Sequence, residues 1–286
     1  MHMNETAVAL RYNKDYPVIQ ANELVRSKQD ELNLLEAKLV RLAITQVLKE
    51  DTDLKTYSCD VIDLAEFLGL SKQNVYRDVQ SLTRTLMKKS IFIKDTSPNQ
   101  TKGRENYRMF HWIDSVEYRD GTLTFKLSDS LKPYLIGLDH LFTTYGYDAI
   151  LELPTNYSIR LYELIASYQN MAFREEYDNN NNFTDIETRK DEFIFTVEWL
   201  RDYFNCQDKY PNTGDFIRRV IDCSAAAIKA RTNMNLTYRT VRNKRTITHV
   251  VFSINNSCVL YPDDPDYEEK KRFHDISERI SERVKN

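Results

Sequence analysis

The chain has 286 residues, 41% hydrophobic and 29% charged, with a formal net charge of −3; that length carries two domains of ordinary size, each with its own core. No run approaches the roughly 18 apolar residues of a membrane span, and residues 1–13 lack the apolar core of a secretory signal. Cys59, Cys206, Cys223 and Cys258 form no CxxC pair and the five histidines stand apart, which argues against a sequence-local metal site or disulfide set and fits a reducing cytoplasm.

Residues 1–20 are polar and are expected to be a flexible N-terminus. Asn22 is placed as the cap of a first helix, and Leu35, Leu39, Leu42 and either Ile44 or Thr45 recur at helix spacing over 32–48. A short strand is expected at 54–57. Asp60 then caps a helix over 61–68 with Ile62, Ala65 and Leu68 inward. Gly69 makes the turn, and Ser71 caps a second helix over 72–89 whose buried stripe is Val75, Val79, Leu82 and Leu86. Helix, glycine turn and Ser-capped helix at this spacing form a helix-turn-helix pattern. The exposed start of the second helix offers Lys72, Gln73, Asn74, Tyr76, Arg77 and Gln80, and residues 72–104 hold eight bases against two acids. Residues 91–93 read as a strand, 97–105 as a polar turn and 107–113 as the partner strand. A further hairpin, 115–118 with 123–127, turns at Asp120-Gly121.

Residues 128–145 are expected to form a helix around Pro133 that joins the halves, continued over 148–151. Pro154 opens the next helix, over 158–169, with Ile159, Tyr162, Ile165 and Ala166 inward. Residues 174–192 hold seven acids, three bases and an asparagine run at 179–182, the composition of an exposed insertion.

The second half repeats the logic of the first. A short amphipathic helix at 196–204 is followed by a polar loop at 205–214. The helix-period segment 215–231 buries Ile217, Val220, Ile221, Ser224 and Ile228 on one face. Beyond Asn233 the period drops to two, and two strands flank the charged turn Arg242-Asn-Lys-Arg245. Helix, loop, helix and basic-tipped ribbon are the order of a winged helix. Residues 201–249 hold ten bases against four acids in a chain that is acidic overall. Basic groups on a helix start and a ribbon tip suit a duplex, the helix entering the major groove and the tip holding phosphate. Phe273, Ile276, Ile280 and Val284 place a charged helical tail at 261–286. The expected fold class is α+β. Two tandem winged-helix domains, 21–140 and 141–260, are joined by a helical linker and followed by the tail.

Literal text now points to a family. Phe142-Thr-Thr-Tyr145, Leu153-Pro-Thr-Asn-Tyr-Ser-Ile-Arg-Leu-Tyr-Glu-Leu-Ile165, Tyr168, Phe216-Ile-Arg-Arg-Val-Ile-Asp222 and the basic hairpin resemble the plasmid replication initiator family, over roughly residues 18–255. These are double winged-helix proteins that bind iterons, the direct repeats of a plasmid origin. The resemblance implies a monomer that grips double-stranded origin DNA, helps open an adjacent AT-rich region, and recruits host initiation proteins and the replicative helicase. It also implies a dimer, joined through the N-terminal domain, that represses the initiator's own gene, and a switch near 128–145.

On this resemblance the DNA-binding candidates in the first half are Lys72, Gln73, Asn74, Arg77 and Arg84. In the second half they are Asp215, Arg218, Arg219, Asp222, Lys229, Arg231, Arg239, Arg242, Asn243, Lys244 and Arg245. Arg218 or Arg219 is placed to pair with guanine, and 242–245 to hold phosphate or the minor groove. Arg160 lies inside an apolar helix, so a structural ion pair with Glu163 or Glu152 is preferred to a DNA contact. Trp112 and Trp199 are read as core.

Rival functions are weaker. A rolling-circle nickase needs a tyrosine beside a metal held by closely spaced histidines, and the chain has no His-x-His. It also has no GxxxxGK[ST] phosphate loop. No catalytic residue, cofactor or metal is expected. A winged-helix transcriptional regulator would use the same DNA contacts; a palindromic rather than directly repeated site would mark it. An adaptor would show no salt-dependent DNA affinity.

Overall fold

The computed structural model describes residues 7–70, 72–94, 106–169 and 192–254. Internal packing divides it into a unit ending at Thr143 and a unit beginning at Thr144. The Ser71 cap, the polar turn at 97–105, the acidic insertion up to residue 191 and the tail at 261–286 lie outside the described residues.

In the first unit, the stretch expected to be loose is built in from residue 7. Strand β1 (Val8–Ala9) pairs in parallel with β4 (Thr56–Asp60), and β2 (Pro17–Ala21) follows it. Leu10 and Val18 are buried, and the Tyr12 ring meets Phe67 at 5.1 Å. Three apolar side chains in a polar run were enough to anchor it.

Helix α1 (Asn22–Arg26) takes Asn22 as its first residue rather than its cap. The Asn22 carboxamide oxygen instead accepts from the Thr143 hydroxyl at 2.5 Å. After β3 (Lys28–Gln29), α2 (Leu34–Ile44) starts at a full capping box. Asn33 accepts from the Glu36 backbone N–H, and the Glu36 carboxylate accepts from that of Asn33. The strand expected at 54–57 is β4, two residues further on.

Asp60 caps α3 (Val61–Phe67) by accepting from Ile62 and Asp63. The inward face is Val61, Leu64, Ala65 and Leu68; Ile62, expected inside, is 39% exposed. The helix ends in a Schellman arrangement, Leu70 N–H to Ala65 O and Gly69 N–H to Glu66 O, with Gly69 at φ 74°. Residues Lys72–Asn74 form a 3-10 turn, and only then does α4 (Val75–Leu86) begin. Its buried residues include the expected Val75, Val79, Leu82 and Leu86.

Strands β5 (Ser90–Lys94) and β6 (Tyr107–His111) pair antiparallel. Strands β7 (Ile113–Arg119) and β8 (Thr122–Leu127) turn at Asp120 and Gly121, both at positive φ as a two-residue hairpin loop needs. Trp112, between the two hairpins, is fully buried with the Arg41 guanidinium 5.6 Å from its ring.

The helix expected over 128–145 does not form. A 3-10 turn at Asp129–Leu131 leads into α5 (Lys132–Leu135), only four residues long, and β9 (Phe142–Gly146) is a strand. Gly137 at φ 64° and Leu141 at φ 52° lie between them, a backbone no helix accepts.

Burial on β4 gives this unit an alkaline limit. It pushes the Tyr57 hydroxyl up to about 12 and the Cys59 thiol up to about 11. Both folded values lie above the ordinary ones. The stability these neutral groups contribute is therefore full at neutral pH and is lost as pH rises through that window. Denaturant titrations at about pH 8 and about pH 11 are expected to show the loss, and Tyr57→Phe to lessen it.

In the second unit, α6 (Tyr147–Glu152) and α7 (Asn156–Gln169) are separated by Leu153-Pro154-Thr155. Thr155 and Ser158 cap each other reciprocally, so α7 begins two residues before the expected start. Every residue from Ser158 to Ser167 is buried, wider than the single inward face expected. Strand β10 (Glu192–Thr196) takes its first residue from the acidic run, and Thr196 caps α8 (Val197–Tyr203).

A long helix follows in three segments: α9 (Thr213–Phe216), a π-helical stretch Ile217–Asp222, and α10 (Cys223–Arg231). Asn212 caps it, and Phe216, Ile217, Val220, Ile221, Ser224, Ala225 and Ile228 are its buried side. Strands β11 (Leu236–Asn243) and β12 (Thr246–Ile254) complete a sheet in the order β10-β12-β11. Trp199, read as core, is 36% exposed; it stacks on Phe195 at 5.0 Å and Tyr203 at 5.1 Å.

Candidate nucleic-acid interface

The second unit places its basic residues in two sets. On the long helix, burial of Ile217, Val220 and Ile221 forces Arg218, Arg219 and Asp222 outward. Arg218 is 67% exposed and donates to Asp215 Oδ1 at 2.7 Å. Arg219 is exposed, and the Tyr210 ring centroid lies 5.9 Å from its guanidinium carbon. Among the described residues no ion pair holds Arg219. The widened π turn leaves the Arg218 carbonyl to accept from the Cys223 thiol at 3.2 Å.

Asp222 accepts from the Tyr238 hydroxyl at 3.3 Å, which ties the helix to β11. Burial, then the Asp222 carboxylate, raises the Tyr238 pKa, so that phenol stays a donor. Lys229 and Arg231 are exposed but lie roughly 16–20 Å further along the axis at ~1.5 Å per residue. Arg231 also donates to the Glu152 carbonyl at 3.3 Å. These two therefore stand apart from the helix start that carries Arg218 and Arg219.

The second set is the hairpin tip. Asn243 pairs with Thr246, so Lys244 and Arg245 make the turn, Lys244 at φ 54°. Arg242, Asn243, Lys244 and Arg245 are all exposed, and a register shift between Val241 and Arg242 twists the ribbon just before them. His249 adds no charge at neutral pH, because burial lowers its pKa.

Arg239 does not join either set. Tyr238 faces the long helix, so alternation sends Arg239 to the opposite face of the sheet. There it donates to Glu192 at 3.1 Å and 3.3 Å. Arg201, counted among the basic residues of this stretch, is also engaged by partners within the fold. It donates to the carbonyls of Cys206 (3.0 Å), Lys209 (2.9 Å) and Tyr210 (2.7 Å). Tyr210 is the residue that sequence reasoning missed, since nothing local marks it as a neighbour of Arg219.

In the first unit Lys72, Gln73 and Asn74 lie in the 3-10 turn ahead of α4, not on the helix, and Gln73 and Asn74 are exposed. Arg77 is 74% exposed and within 3.4 Å of Asp78; Arg84 is exposed about two turns further along the same helix face. Arg160 is not on the surface. It is 4% exposed, and its guanidinium carbon lies 4.0 Å from the Tyr203 ring centroid. Among the described residues no group of His, Cys, Asp and Glu could hold a metal ion, and no helix is long and apolar enough to cross a membrane.

Two helix-turn-helix units, each continued into a β-hairpin, define the class: this is a tandem winged-helix protein. Residues 17–166 match the family described as Initiator Replication protein, WH1, and residues 196–254 match Initiator Rep protein, WH2. The chain belongs to the plasmid replication initiator family.

It is 26% identical over 194 residues to a replication initiation protein of Escherichia coli, covering 65% of this chain and 55% of that one. To the PI protein of Escherichia coli it is 31% identical over 192 residues, covering 63% and 56%. The matched region thus spans about half the length of these two relatives. The crystal structure of the Pi initiator protein in complex with iteron DNA superposes with a TM-score of 0.62. The overlap covers 85% of this chain and 98% of that one, at 21% identity. At that identity the likeness concerns the fold.

Proposed function

We propose that this chain initiates plasmid replication by gripping direct repeats of double-stranded origin DNA through both winged helices. Arg218 and Arg219 on the long helix read base edges, while Arg242, Asn243, Lys244 and Arg245 hold phosphate. The first unit adds Arg77 and Arg84, with Lys72, Gln73 and Asn74 entering from the turn before α4. Binding strains the adjacent AT-rich duplex toward opening and presents the bound chain to host initiation proteins and the replicative helicase. A dimer formed through the first unit represses the initiator's own gene. The chain performs no covalent chemistry of its own.

The observation that carries this reading is the pairing, in one unit, of outward arginines on the helix with a basic tip on the adjoining hairpin. The relative that superposes over most of the chain was solved on iteron DNA, which supports the same kind of target.

The test is a titration of the whole chain against a labelled duplex carrying direct repeats from beside its coding region, with a shuffled duplex as control. Preference for the repeats supports the reading, and equal affinity for both removes it. Repeats arranged as a lone palindrome would instead favour a regulator. Lys244→Ala with Arg245→Ala is expected to weaken binding to both duplexes. The same pair should lower the slope of log K against log salt by about 1.8, at ~0.9 for each phosphate no longer neutralised.

A further inference from the structure

Arg201 lies on α8, before the loop that leads to the long helix, and it is the centre of that loop. Its guanidinium donates to three carbonyls, those of Cys206, Lys209 and Tyr210, at 2.7–3.0 Å. It also lies 4.8 Å from the ring of Phe216, a fully buried residue of α9. In return the Cys206 N–H donates to the Arg201 carbonyl at 2.7 Å. The loop holds two residues other than glycine at positive φ, Asn205 and Tyr210, both 52°. Such a backbone is costly and persists only where its surroundings determine it. The planar fork of an arginine, aimed at three carbonyls, is such a determinant. The outcome is the placement of the Tyr210 ring beside Arg219, at 5.9 Å.

We propose that Arg201 and Tyr210 form a positioning relay that presets Arg219 for the DNA groove. The inference rests on the reading of the long helix as the groove-facing element. An exposed arginine loses rotamer freedom when it binds, and a ring that already backs its guanidinium reduces that loss. The ring does this without adding negative charge, so Arg219 keeps its full attraction for DNA. Arg218 is held differently, by the Asp215 carboxylate at 2.7 Å, which partly neutralises it. The two neighbouring arginines are therefore not equivalent, and the relay acts on Arg219.

The experiment uses the whole chain, the repeat-bearing duplex and the shuffled one. The unaltered chain comes first: if it does not prefer the repeats, the functional reading fails before the relay is addressed. Given that preference, Tyr210→Ala is expected to lower affinity for the repeats by about three- to fivefold, the worth of an exposed cation–π pair. Affinity for the shuffled duplex and the melting temperature should hold. Tyr210→Phe, which keeps the ring, should restore binding. In an Arg219→Ala background Tyr210→Ala should add nothing, because the group it positions is gone. Arg201→Lys keeps the charge but loses the planar fork, and should lower the preference for repeats without adding to Tyr210→Ala. The relay is overturned if Tyr210→Ala leaves that preference intact, or if its loss multiplies with that of Arg219→Ala. It is also overturned if Arg201→Lys weakens both duplexes equally.

Discussion

Alanine at both Arg218 and Arg219 is expected to remove the chain's preference for its origin repeats while leaving the fold intact. A bidentate arginine–guanine pair contributes about 1–3 kcal/mol of discrimination, so losing two such side chains lowers the preference by roughly 30-fold or more. The fold has little to lose. Both side chains project away from Ile217, Val220 and Ile221, which stay buried. The one ion pair removed, Arg218 with Asp215, is exposed at 67% and 44% and stabilises by no more than about 1 kcal/mol. Parallel titrations and thermal melts check both halves of the expectation. An unchanged preference at an unchanged melting temperature would show that another element reads the bases.

The same helix shows what a sequence can and cannot disclose. Ile217, Val220, Ile221, Ser224 and Ile228 recur at helix spacing and are all buried, so the outward direction of the two arginines was legible. The Asp120-Gly121 turn was legible for a similar reason, since few residues accept positive φ at both turn positions. The π-helical stretch over Ile217–Asp222 was not, because its apolar spacing is that of an ordinary helix.

Short elements failed differently. A helix of seven residues has so few turns that a slip of one position exchanges Ile62 for Val61 on the buried face. The stretch over 128–145 has helix-like composition, but its path depends on Gly137 and Leu141 at positive φ, which no periodicity reports. Charge counting did not reveal that Arg201 and Arg239 already have partners within the fold. Their partners are, respectively, three loop carbonyls and a carboxylate on a strand hidden at the end of an acidic run. A count of bases does not say which of them are already paired within the fold, and that distinction needs coordinates.

Arg160 gives the sharpest separation of a structural base from those proposed to contact DNA, and the second large effect. It is 4% exposed on α7, with its guanidinium carbon 4.0 Å from the Tyr203 ring centroid. The Tyr203 hydroxyl donates back to the Arg160 carbonyl at 3.0 Å, and Glu163, fully buried one turn on, accepts from the Tyr145 hydroxyl. Arg160→Ala removes a desolvated cation–π pair, leaves a cavity and strips positive charge from beside a buried carboxyl group. A loss of about 3 kcal/mol in the stability of the second unit is expected. Arg160→Met should recover part of it, since a thioether of similar length can meet the Tyr203 ring. Denaturant titration measures that loss, and DNA affinity corrected for the folded fraction should not change. A DNA-contacting arginine would behave in the opposite way, losing affinity at constant stability, as Arg218 and Arg219 are expected to do. If Arg160→Met keeps full stability yet binds the repeats more weakly, α7 reaches the duplex and the interface extends beyond the long helix and the hairpin tip.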